Sequence, residues 1–557
     1  MTYNRNIHIN QVGYTKNDKK IAVLANVSGH FKIINAKNNQ CVFEGDSRTC
    51  KNKGTSQNES CIDEASGDVV SYCEFSSVSE VGEYYIELEG QGRSYTFLID
   101  DGIYTSVKNA LLKGLYYQRC GVELEEKYAG PWAHAICHTN QAKIYNNPEK
   151  TIEVSGGWHD AGDYGRYATA GAVSVADILL SYELFGDVYT DDIQIPESGN
   201  GIPDALDEAR VELEWLLKVQ DNETGGVYHK VTTKYFCGMI MPEDEHEDLF
   251  ALPESAVAAG DFAAVMAMAY RIYKKYDETF ANTMLAAAKK AWEWLEKNPN
   301  IPGFKNPQDV STGEYGDPNS EDERLWAATE LYRVTGDDKY HLYIKEILKT
   351  DVDIVSFGWG SIGGYASISY IRMAEQKEQV FDDEIVNVLK KAFLNKADEL
   401  VSIANNDGYM ADVLPKQYRW GSTMTITNGA QLLILSYYLT GKKEYEEVAI
   451  DQLHYILGRN PMGISYITGI GSNVVNNIHH RPSDADGVEK AVPGLISGGP
   501  NWSLNDEAAK SFIKEGTPAA KCFVDHVGSY STNEIAIYWN TPALFVAAYA
   551  DYRNSRN

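Results

Sequence analysis

The sequence is poor in cysteine and in positive charge, and each shortage excludes a class of protein. Eight cysteines in 557 residues are too few for the disulfide framework of a small secreted domain. Four of them, Cys41, Cys50, Cys61 and Cys73, lie near the N-terminus and fit either disulfides or free thiols. With 50 basic residues against 79 acidic ones, the formal charge of −29 repels phosphate backbones and anionic lipids, so neither nucleic acid nor membrane is an expected partner.

The sequence also lacks a long hydrophobic run. No stretch approaches the roughly 18 consecutive apolar residues of a membrane-spanning helix. The opening residues MTYNRNIHINQVGY contain no apolar segment suited to a secretion signal. As written, the chain is therefore expected to be cytoplasmic, and secretion stays open as the alternative because a trimmed secreted protein would give the same sequence.

The chain has two parts with different sequence patterns. Residues 6 to about 100 alternate short β-rich runs with turn signals, as in KIAVLAN and GEYYIELEG, which predicts a small β-sandwich. After Asp101, apolar residues recur at three- and four-residue intervals almost to the end of the chain, which predicts helices. We therefore predict two domains, an all-β domain at 1–100 and a mainly α domain at 101–557.

An internal echo indicates how the helices are arranged. LYRVTGDDKY at 331–340 and SYYLTGKKEY at 436–445 each join two helical stretches through a glycine, which commonly ends a helix. The echo predicts repeated helical hairpins, in a solenoid or a closed ring. Long loops rich in Gly, Trp, Asp and Asn, where binding and catalysis are usually placed, occur at 151–166, 301–323, 405–428 and 458–505.

The loop segment SGGWHDAGDYGRY at 155–167 contains two aspartates, Asp160 and Asp163. Asp163 precedes an apolar helix and is placed like an N-cap, where free backbone N–H groups favour a carboxylate. One interpretation is a helix cap and nothing more. The other is that the same N–H groups lower the pKa of Asp163 and keep it ionised, as a water-activating base requires.

Hydrolysis of an acetal also requires an acid, and the stretch FVDHVGSYSTNEIAIYWNT at 523–541 offers Glu534. It opens an apolar helix that carries Tyr538 and Trp539. Aromatic and aliphatic neighbours favour the protonated form of a carboxyl, as a general acid requires. On spacing alone, an ordinary first-turn glutamate is the simpler interpretation.

Three separated motifs together resemble the family 9 glycoside hydrolases, the inverting cellulases and their relatives, over essentially the full chain. They are GGWHDAGDYGRY at 156–167, YILGRNPMGISYITGIGSNVVNNIHHRPS at 455–483 and the 523–541 stretch. The N-terminal IHINQVGYTKNDKKIAVL looks like the immunoglobulin-like domain of one branch of that family. The resemblance implies a mainly α fold, an (α/α)6 barrel of six helical hairpins in a ring, preceded by a small all-β immunoglobulin-like sandwich.

The resemblance assigns roles to the carboxyls. Asp163 falls on the family's base, Asp160 on the residue that helps hold the same water, and Glu534 on the proton donor. An inverting mechanism is a single displacement by water, with no covalent intermediate, and it places the two carboxyls roughly 6.5–9.5 Å apart. Such a distance between residues far apart in the chain requires the helical ring to close.

The resemblance also implies substrate contacts. The family's His-x-Arg contacts fall on His479 and Arg481, and the aspartate nine residues before the acid falls on Asp525. Trp420, in YRWGS, resembles a tryptophan that lines the family's cleft, although Thr423 stands where asparagine is frequent. Trp158 is a further candidate for stacking on sugar rings, with core packing as the alternative.

Two thiols and two imidazoles form a separate candidate metal site. Cys120, Cys137, His138 and His159 have the number and type of ligands of a closed tetrahedral zinc site, and the alternative is four unrelated side chains. The resemblance implies a zinc at these positions, and a zinc with four protein ligands is structural.

Calcium is a weaker candidate. Many relatives bind calcium through an Asp-Glu pair, which Asp322 and Glu323 offer here. Gly360 stands where one such site has a further aspartate, so a solvated helix N-terminus is the favoured interpretation of the pair.

The sequence leaves three function classes to be distinguished. The favoured one is an inverting β-1,4-glucanase acting on cellulose chains or soluble cello-oligosaccharides. An exo-acting β-glucosaminidase on chitosan oligomers would use the same carboxylates, and a non-catalytic carbohydrate-binding protein is a third class, disfavoured because all three carboxyls are present. A zinc-dependent hydrolase is the least favoured, because no zinc position is left open. No dockerin-type partner segment is evident, which favours short soluble oligosaccharides as substrates.

Overall fold

A computed structural model describes residues 2–49 and 62–556 of the chain. Cys50 and Cys61 lie outside the described residues, while Cys41 and Cys73 are free thiols. The chain divides into two compact units. The first unit comprises Met1–Gly114, Ala397–His479 and Val488–Asn557, and the second comprises Leu115–Lys396 and His480–Gly487.

The N-terminal part of the first unit is a β-sandwich. Its strands are β1 (Ile7–His8), β2 (Gly13–Tyr14), β3 (Ile21–Ala25), β4 (His30–Asn35), β5 (Cys41–Asp46), β6 (Arg48–Thr49), β7 (Val70–Glu74), β8 (Gly82–Leu88), β9 (Gly92–Arg93) and β10 (Phe97–Ile99). One sheet has the order β1-β3-β7-β6, and the other has the order β2-β10-β8-β4-β5 with β9 beside β8. Side chains of both sheets meet in one core, with Ala22 and Leu24 from the first sheet and Ile33 and Ile86 from the second, as expected of a sandwich.

The rest of the chain is mainly helical. The helices are α1 (Ile103–Tyr116), α2 (Glu126–Ala129), α3 (Ala168–Phe185), α4 (Asp204–Lys218), α5 (Ala256–Tyr273), α6 (Glu278–Lys297), α7 (Glu321–Thr335), α8 (Asp338–Ile347), α9 (Gly363–Gln376), α10 (Asp383–Asn406), α11 (Ser422–Thr440), α12 (Lys443–Ile456), α13 (Arg481–Ala485), α14 (Glu507–Phe512), α15 (Tyr530–Asn533) and α16 (Ile537–Ser555). In the second unit, α3 packs on α4 and α5, α5 on α6 and α7, and α7 on α8 and α9. In the first unit, α11 packs on α12 and α16.

The long helices are of two kinds. Helices α3, α5, α7, α9, α11 and α16 are buried on nearly every side. Their hairpin partners are amphipathic, as in α6, which buries Phe280, Met284 and Ala288 at helical spacing. Ala168–Val188 could span a membrane by length and composition alone, but 83% of its apolar window is buried inside the protein, as in a core helix.

The two echoed segments are helical hairpins, as predicted. Gly336 and Gly441 follow the last residues of α7 and α11 with φ of 67° and 70°, in the left-handed region that glycine adopts without strain. The next helix then begins within two residues, and in α8 the Asp337 side chain caps the Lys339 N–H. A glycine stop followed by an immediate restart explains why the hairpin could be predicted.

A small sheet in the second unit was not predicted. It has the order β12-β11-β15-β14-β13. Its strands are β11 (Ala142–Ile144), β12 (Asn147–Ile152), β13 (Arg166–Tyr167), β14 (Lys230–Thr232) and β15 (Phe250–Ala251). This sheet matters for function because β13 directly follows the two aspartates of the 155–167 segment.

Candidate active site

Asp160 lies in the 155–167 turn of the second unit and is almost fully buried. Its Oδ2 accepts a hydrogen bond from the Tyr315 hydroxyl at 2.6 Å. Burial raises the pKa of Asp160 well above its usual range, and the nearby charge of Asp163 adds a smaller effect in the same direction. A carboxyl in this setting favours its protonated form more strongly than an exposed aspartate does.

Asp163 does not cap α3, so that prediction is wrong. The helix begins at Ala168, and Tyr167 of β13 occupies the N-cap position without a side-chain cap. The Oδ2 of Asp163 instead accepts a hydrogen bond from the Gly165 N–H at 2.9 Å, while the Asp160 N–H donates to the Gly165 carbonyl at 2.9 Å. The turn itself, rather than the helix, therefore orients the Asp163 carboxyl.

Two buried polar side chains brace this turn. The Gln118 amide donates to the carbonyls of His159 and Ala161, both at 3.0 Å. The Arg481 guanidinium donates to the Gly162 carbonyl at 2.7 Å, and its other nitrogens donate to a second backbone carbonyl. Arg481 is thus engaged in holding the backbone between the two aspartates, and direct contact of Arg481 with substrate stays a prediction.

Trp158 is not available to a sugar, so its assignment as a stacking residue is wrong. The residue is 1% exposed. Its backbone N–H donates to Glu212 Oε2 at 2.7 Å, and its indole N–H donates to Glu208 Oε1 at 2.8 Å. Glu208 in turn pairs with the buried Arg119 at 2.8 Å. Two glutamates one turn apart on α4 therefore anchor the residue immediately before the predicted zinc ligand His159.

Glu212 is expected to make the stability of the protein depend on pH. Burial raises its pKa to about 8 from the 4.5 of an ordinary glutamate, so in that window the folded state binds a proton that the unfolded state has released. The free energy of unfolding therefore falls as pH rises from about 4.5 to about 8. Glu212→Gln keeps a carbonyl oxygen for the Trp158 N–H and removes this dependence.

Thermal unfolding at pH 5 and pH 8 tests this expectation. The free energy of unfolding of Glu212→Gln, compared with that of the wild type, should rise by on the order of 1 kcal/mol or more between pH 5 and pH 8. Glu214→Gln, on the same helix but with a half-exposed side chain, serves as the matched control and should show no such gain. An equal effect of Glu212→Gln at both pH values would contradict the assignment.

The loop at 301–323 brings Tyr315 to Asp160. Tyr315 has a φ of 46°, which non-glycine residues rarely adopt and which persists where the surroundings fix it. Its ring lies 4.7 Å from that of Tyr167. Strand β14 and the residue before it hold the same loop, because Lys230 Nζ donates to the Gly313 carbonyl at 2.6 Å and His229 Nε2 donates to the Glu314 carbonyl at 2.9 Å. Neither Tyr315 nor Lys230 was identified from the sequence, where the length of the loop was the available signal.

The four predicted zinc ligands meet in the second unit. Cys120, Cys137, His138 and His159 are all buried, and one donor atom from each lies within 4.8 Å of the others. His138 Nε2 donates to the Glu245 carboxylate at 3.0 Å, which leaves Nδ1 as the nitrogen that faces the group. A histidine held this way by a carboxylate is typical of metal sites.

The charge state of the two thiols also fits a metal. Burial opposes ionisation of Cys120, but a hydrogen bond from Cys137 and the charge of Arg166 outweigh it and lower the pKa of Cys120 well below its usual range. The hydrogen bond to Cys120 raises the pKa of Cys137. One thiolate is therefore favoured even in the metal-free protein, and thiolate is the form that binds zinc.

A second group of potential metal ligands was missed by the sequence reasoning. Asp191, Asp204 and Asp207, beside the N-terminus of α4, also lie within 4.8 Å of one another. Asp322 and Glu323, the predicted calcium pair, belong to neither ligand group found in the part of the chain that the structure describes. Both residues are buried, so the favoured interpretation of the pair as a solvated helix N-terminus is wrong, and calcium at that pair stays the untested alternative.

Glu534 lies in the first unit, in the extended segment between α15 and α16. It follows α15 with a ψ of 161°, and α16 begins three residues later at Ile537, so Glu534 precedes the apolar helix rather than opening it. Its carbonyl accepts a hydrogen bond from the Gly498 N–H at 2.8 Å, and its backbone pairs with that of His479. The side chain is half-buried. Backbone contacts on both sides thus fix the position of the Glu534 backbone.

His479 and Asp525 contact the segments next to Glu534 in different ways. His479 Nδ1 donates to the Val527 carbonyl at 2.6 Å, and its backbone N–H donates to the Asn533 carbonyl at 2.9 Å. Asp525 accepts from Asn533 Nδ2 at 2.8 Å and from the backbone N–H of Asn477 at 2.9 Å. Asp525 therefore braces the segment before Glu534, and contacts of either residue with substrate stay predictions.

Trp420 is exposed beside these residues. It is 45% exposed, and its ring lies 5.3 Å from that of Tyr530, which packs edge-on against His479 at 5.8 Å. Trp539, by contrast, is buried beneath Gly421. Thr423, where the resemblance predicts asparagine, donates its hydroxyl to the Ser497 carbonyl at 2.7 Å. Trp420 is thus available for stacking on a sugar.

Two family models match the chain. The model described as "Glycosyl hydrolase family 9" matches residues 104–547, and the model described as "Cellulase N-terminal ig-like domain" matches residues 2–93. A cellodextrinase from Butyrivibrio fibrisolvens is 36% identical over 559 residues, covering 97% of this chain and 98% of the relative.

Solved structures resemble the chain over nearly its whole length. AaCel9A in complex with a cellobiose-like isofagomine has a TM-score of 0.89 at 35% identity and covers 98% of this chain and 99% of its own. The Zn-binding triple mutant of endoglucanase J30 has a TM-score of 0.88 at 31% identity, and the match covers 96% of this chain and 99% of the mutant's chain. The predicted fold class, a mainly α (α/α)6 barrel preceded by an all-β sandwich, is confirmed.

Proposed function

The chain belongs to glycosyl hydrolase family 9, and from this premise we propose how its residues divide the reaction. The protein is an inverting β-1,4-glucanase that hydrolyses cellulose chains or soluble cello-oligosaccharides. Asp163 is the base, Asp160 helps hold the attacking water, and Glu534 is the acid. The observation that carries this proposal is the braced turn in which Asp160 and Asp163 are held by different donors.

The turn supplies what a water-activating base needs. The Asp163 carboxyl takes its orientation from the Gly165 N–H. The neighbouring Asp160 is fixed by Tyr315, and burial favours its protonated form, in which it can donate to a water molecule. Two adjacent carboxyls with unlike environments divide the roles, because one can accept the proton of water while the other orients it.

The reaction is then a single displacement. Asp163 removes a proton from water, the water oxygen attacks the anomeric carbon, and the glycosidic bond breaks on the opposite face. Glu534 gives its proton to the departing oxygen, which leaves as the free hydroxyl of the shortened chain. The new reducing end has the α configuration, since one displacement at a β-linked carbon inverts it.

We also propose that the Cys/His group holds a structural zinc. Cys120, Cys137, His138 and His159 would fill the four positions of a tetrahedral zinc, so no position remains for water or substrate. Zinc would supply no step of the reaction. It would tie His159, and with it the adjoining Asp160, to the segment that carries Cys137 and His138.

Short soluble cello-oligosaccharides are the proposed preferred substrate. The similarity to a cellodextrinase extends over nearly the full length of both chains, which supports glucose units over glucosamine units. The chitosan alternative requires a cationic substrate, and the net charge of −29 is compatible with it. No observation in the described site favours glucosamine.

A proton NMR time course tests the reaction and the sugar together. Cellopentaose and a chitosan pentamer are incubated with the enzyme in parallel, and the anomeric signals are followed from the first minute. We expect early α-anomer from cellopentaose, with the β-anomer growing only by mutarotation. Early β-anomer would contradict single displacement, and turnover of the chitosan oligomer alone would replace the substrate proposal while leaving the roles of the carboxyls intact.

A further inference from the structure

Three exposed aromatic side chains of the first unit lie in adjoining segments. Trp420, Trp502 and Tyr530 are 45%, 44% and 38% exposed. Trp420 and Tyr530 pack together at 5.3 Å. Scattered exposed aromatics are ordinary on a protein surface, whereas a cluster of them indicates a binding surface.

Hydrogen bonds join the segment that carries Trp502 to the segments that carry the other two residues. Its backbone N–H donates to the Tyr418 carbonyl at 3.0 Å, two residues before Trp420. From the other side, the Tyr530 hydroxyl donates to the Asn505 carbonyl at 3.2 Å, three residues after Trp502. The segment of Trp502 is therefore held beside the segments of Trp420 and Tyr530, and Tyr530 begins the short helix α15, which ends at Asn533 directly before Glu534.

The indole of Trp502 is exposed but held. Its Nε1–H donates to the Lys416 carbonyl at 3.2 Å, and the Arg419 guanidinium lies over its ring with the central carbon 5.6 Å from the ring centre. A cation over one face and a hydrogen bond at the edge fix the ring plane. An immobile ring loses little side-chain entropy when a ligand stacks on it.

The turn that carries Trp502 is itself rigid. Asn501 Nδ2 donates to Asn505 Oδ1 at 2.9 Å and to the Ser531 carbonyl at 3.1 Å. Leu504 has a φ of 46°, a conformation that a leucine keeps only where its surroundings impose it. The 501–505 turn thus holds an exposed tryptophan in a defined orientation at a cost in backbone strain.

We propose that Trp502 stacks on an outer sugar of a β-1,4-linked glucan whose nearer sugars lie at Trp420 and Tyr530. The equatorial hydroxyls of a β-glucosyl ring point to its rim, so its two faces are C–H surfaces that suit an indole face. A glucan is favoured over a protein partner because Tyr530, which packs on Trp420, begins the short helix that directly precedes the proposed acid. This inference rests on the proposed function and extends it to chain-length preference.

The consequence is a selective contribution to long substrates. A stacked aromatic contact is worth about 0.5–1.5 kcal/mol, which corresponds to roughly 2- to 10-fold in affinity. Only a chain long enough to reach Trp502 gains this factor. Trp502→Ala should therefore lower the ratio of kcat/KM for cellohexaose to kcat/KM for cellotriose by about 2- to 10-fold, mainly through KM, and Trp502→Phe should retain most of the ratio.

Tyr438→Ala is the matched control. Tyr438 is 51% exposed on α11, the helix that follows Trp420, and lies about 24 Å from the first residue of that helix at a rise of 1.5 Å per residue. It is an exposed aromatic in the same unit, near the far end of α11 from Trp420. Its removal should leave the chain-length ratio unchanged.

Two kinetic outcomes would overturn the proposal. An unchanged ratio in Trp502→Ala would remove the sugar contact. An equal fall for both substrates would assign Trp502 to the stability of the 416–420 segment through its bond to Lys416. If the wild-type enzyme turns over no cello-oligosaccharide, the proposed function fails separately, and calorimetric binding of cellohexaose and cellotriose to Glu534→Gln, with and without Trp502→Ala, still decides whether Trp502 binds an outer sugar.

Discussion

Glu534→Gln is expected to lower kcat on cellotetraose by about 10²- to 10⁴-fold, the usual contribution of a general acid. Gln has the shape of Glu but cannot give a proton to a departing sugar hydroxyl, whose anion is a poor leaving group. Because the backbone of Glu534 is fixed by Gly498 and His479, the variant should fold and bind substrate normally. Steady-state kinetics with reducing-end detection gives the measurement.

Asp163→Asn should fail in a different way. Dinitrophenolate leaves without protonation, so dinitrophenyl cellobioside bypasses the acid but still requires an activated water. Glu534→Gln should therefore retain most of its turnover of this substrate, whereas Asp163→Asn should lose turnover of both substrates. The pattern across two substrates separates acid from base, which loss of activity on one substrate cannot do.

Glu507→Gln, an exposed carboxyl of the first unit, controls for the loss of a negative charge and should behave as wild type. Near-normal turnover of cellotetraose by Glu534→Gln would show that the acid lies elsewhere. Retained turnover of the activated substrate by Asp163→Asn would remove Asp163 from the role of base.

The residue types of the candidate site could be predicted from the sequence, but the contacts that orient them could not. The motif around Asp160 and Asp163 indicates acid-base chemistry only together with Glu534 and the family resemblance. The cap predicted for Asp163 was wrong because β13, a strand of two residues, intervenes before α3. A strand that short has no periodicity that a sequence pattern can reveal.

Burial of individual aromatic residues was equally hard to predict. Trp158 and Trp420 both lie in long loops rich in glycine, and only one of them is exposed. Trp158 is buried because Glu208 and Glu212, about fifty positions later in the chain, bond both of its N–H groups. Pairings over such distances depend on the tertiary fold. The helical hairpins, in contrast, could be predicted because a glycine stop and an amphipathic period are local signals.

The zinc ligands could be predicted in part. Their residue types could be identified from the sequence, but only the fold shows that they converge.

Cys120→Ser is expected to remove the bound zinc and to lower Tm by at least about 5 °C. Without the metal, the group leaves buried polar side chains imperfectly paired. Metal analysis of protein purified without chelator, followed by thermal unfolding, gives both values. Cys522→Ser, which replaces a buried cysteine of the first unit, should keep its zinc.

Zinc loss is also expected to lower kcat, although the metal takes no part in the reaction. Cys120 donates its N–H to the Gly157 carbonyl at 2.8 Å, and His159 adjoins Asp160, so the N-terminal side of the catalytic turn is attached to two of the ligands. Release of the ligands should loosen the water-holding pair and reduce kcat by about 10-fold or more, since small displacements of catalytic groups are costly. Full zinc content in Cys120→Ser, or a zinc-free variant with normal kcat, would separate this group from catalysis.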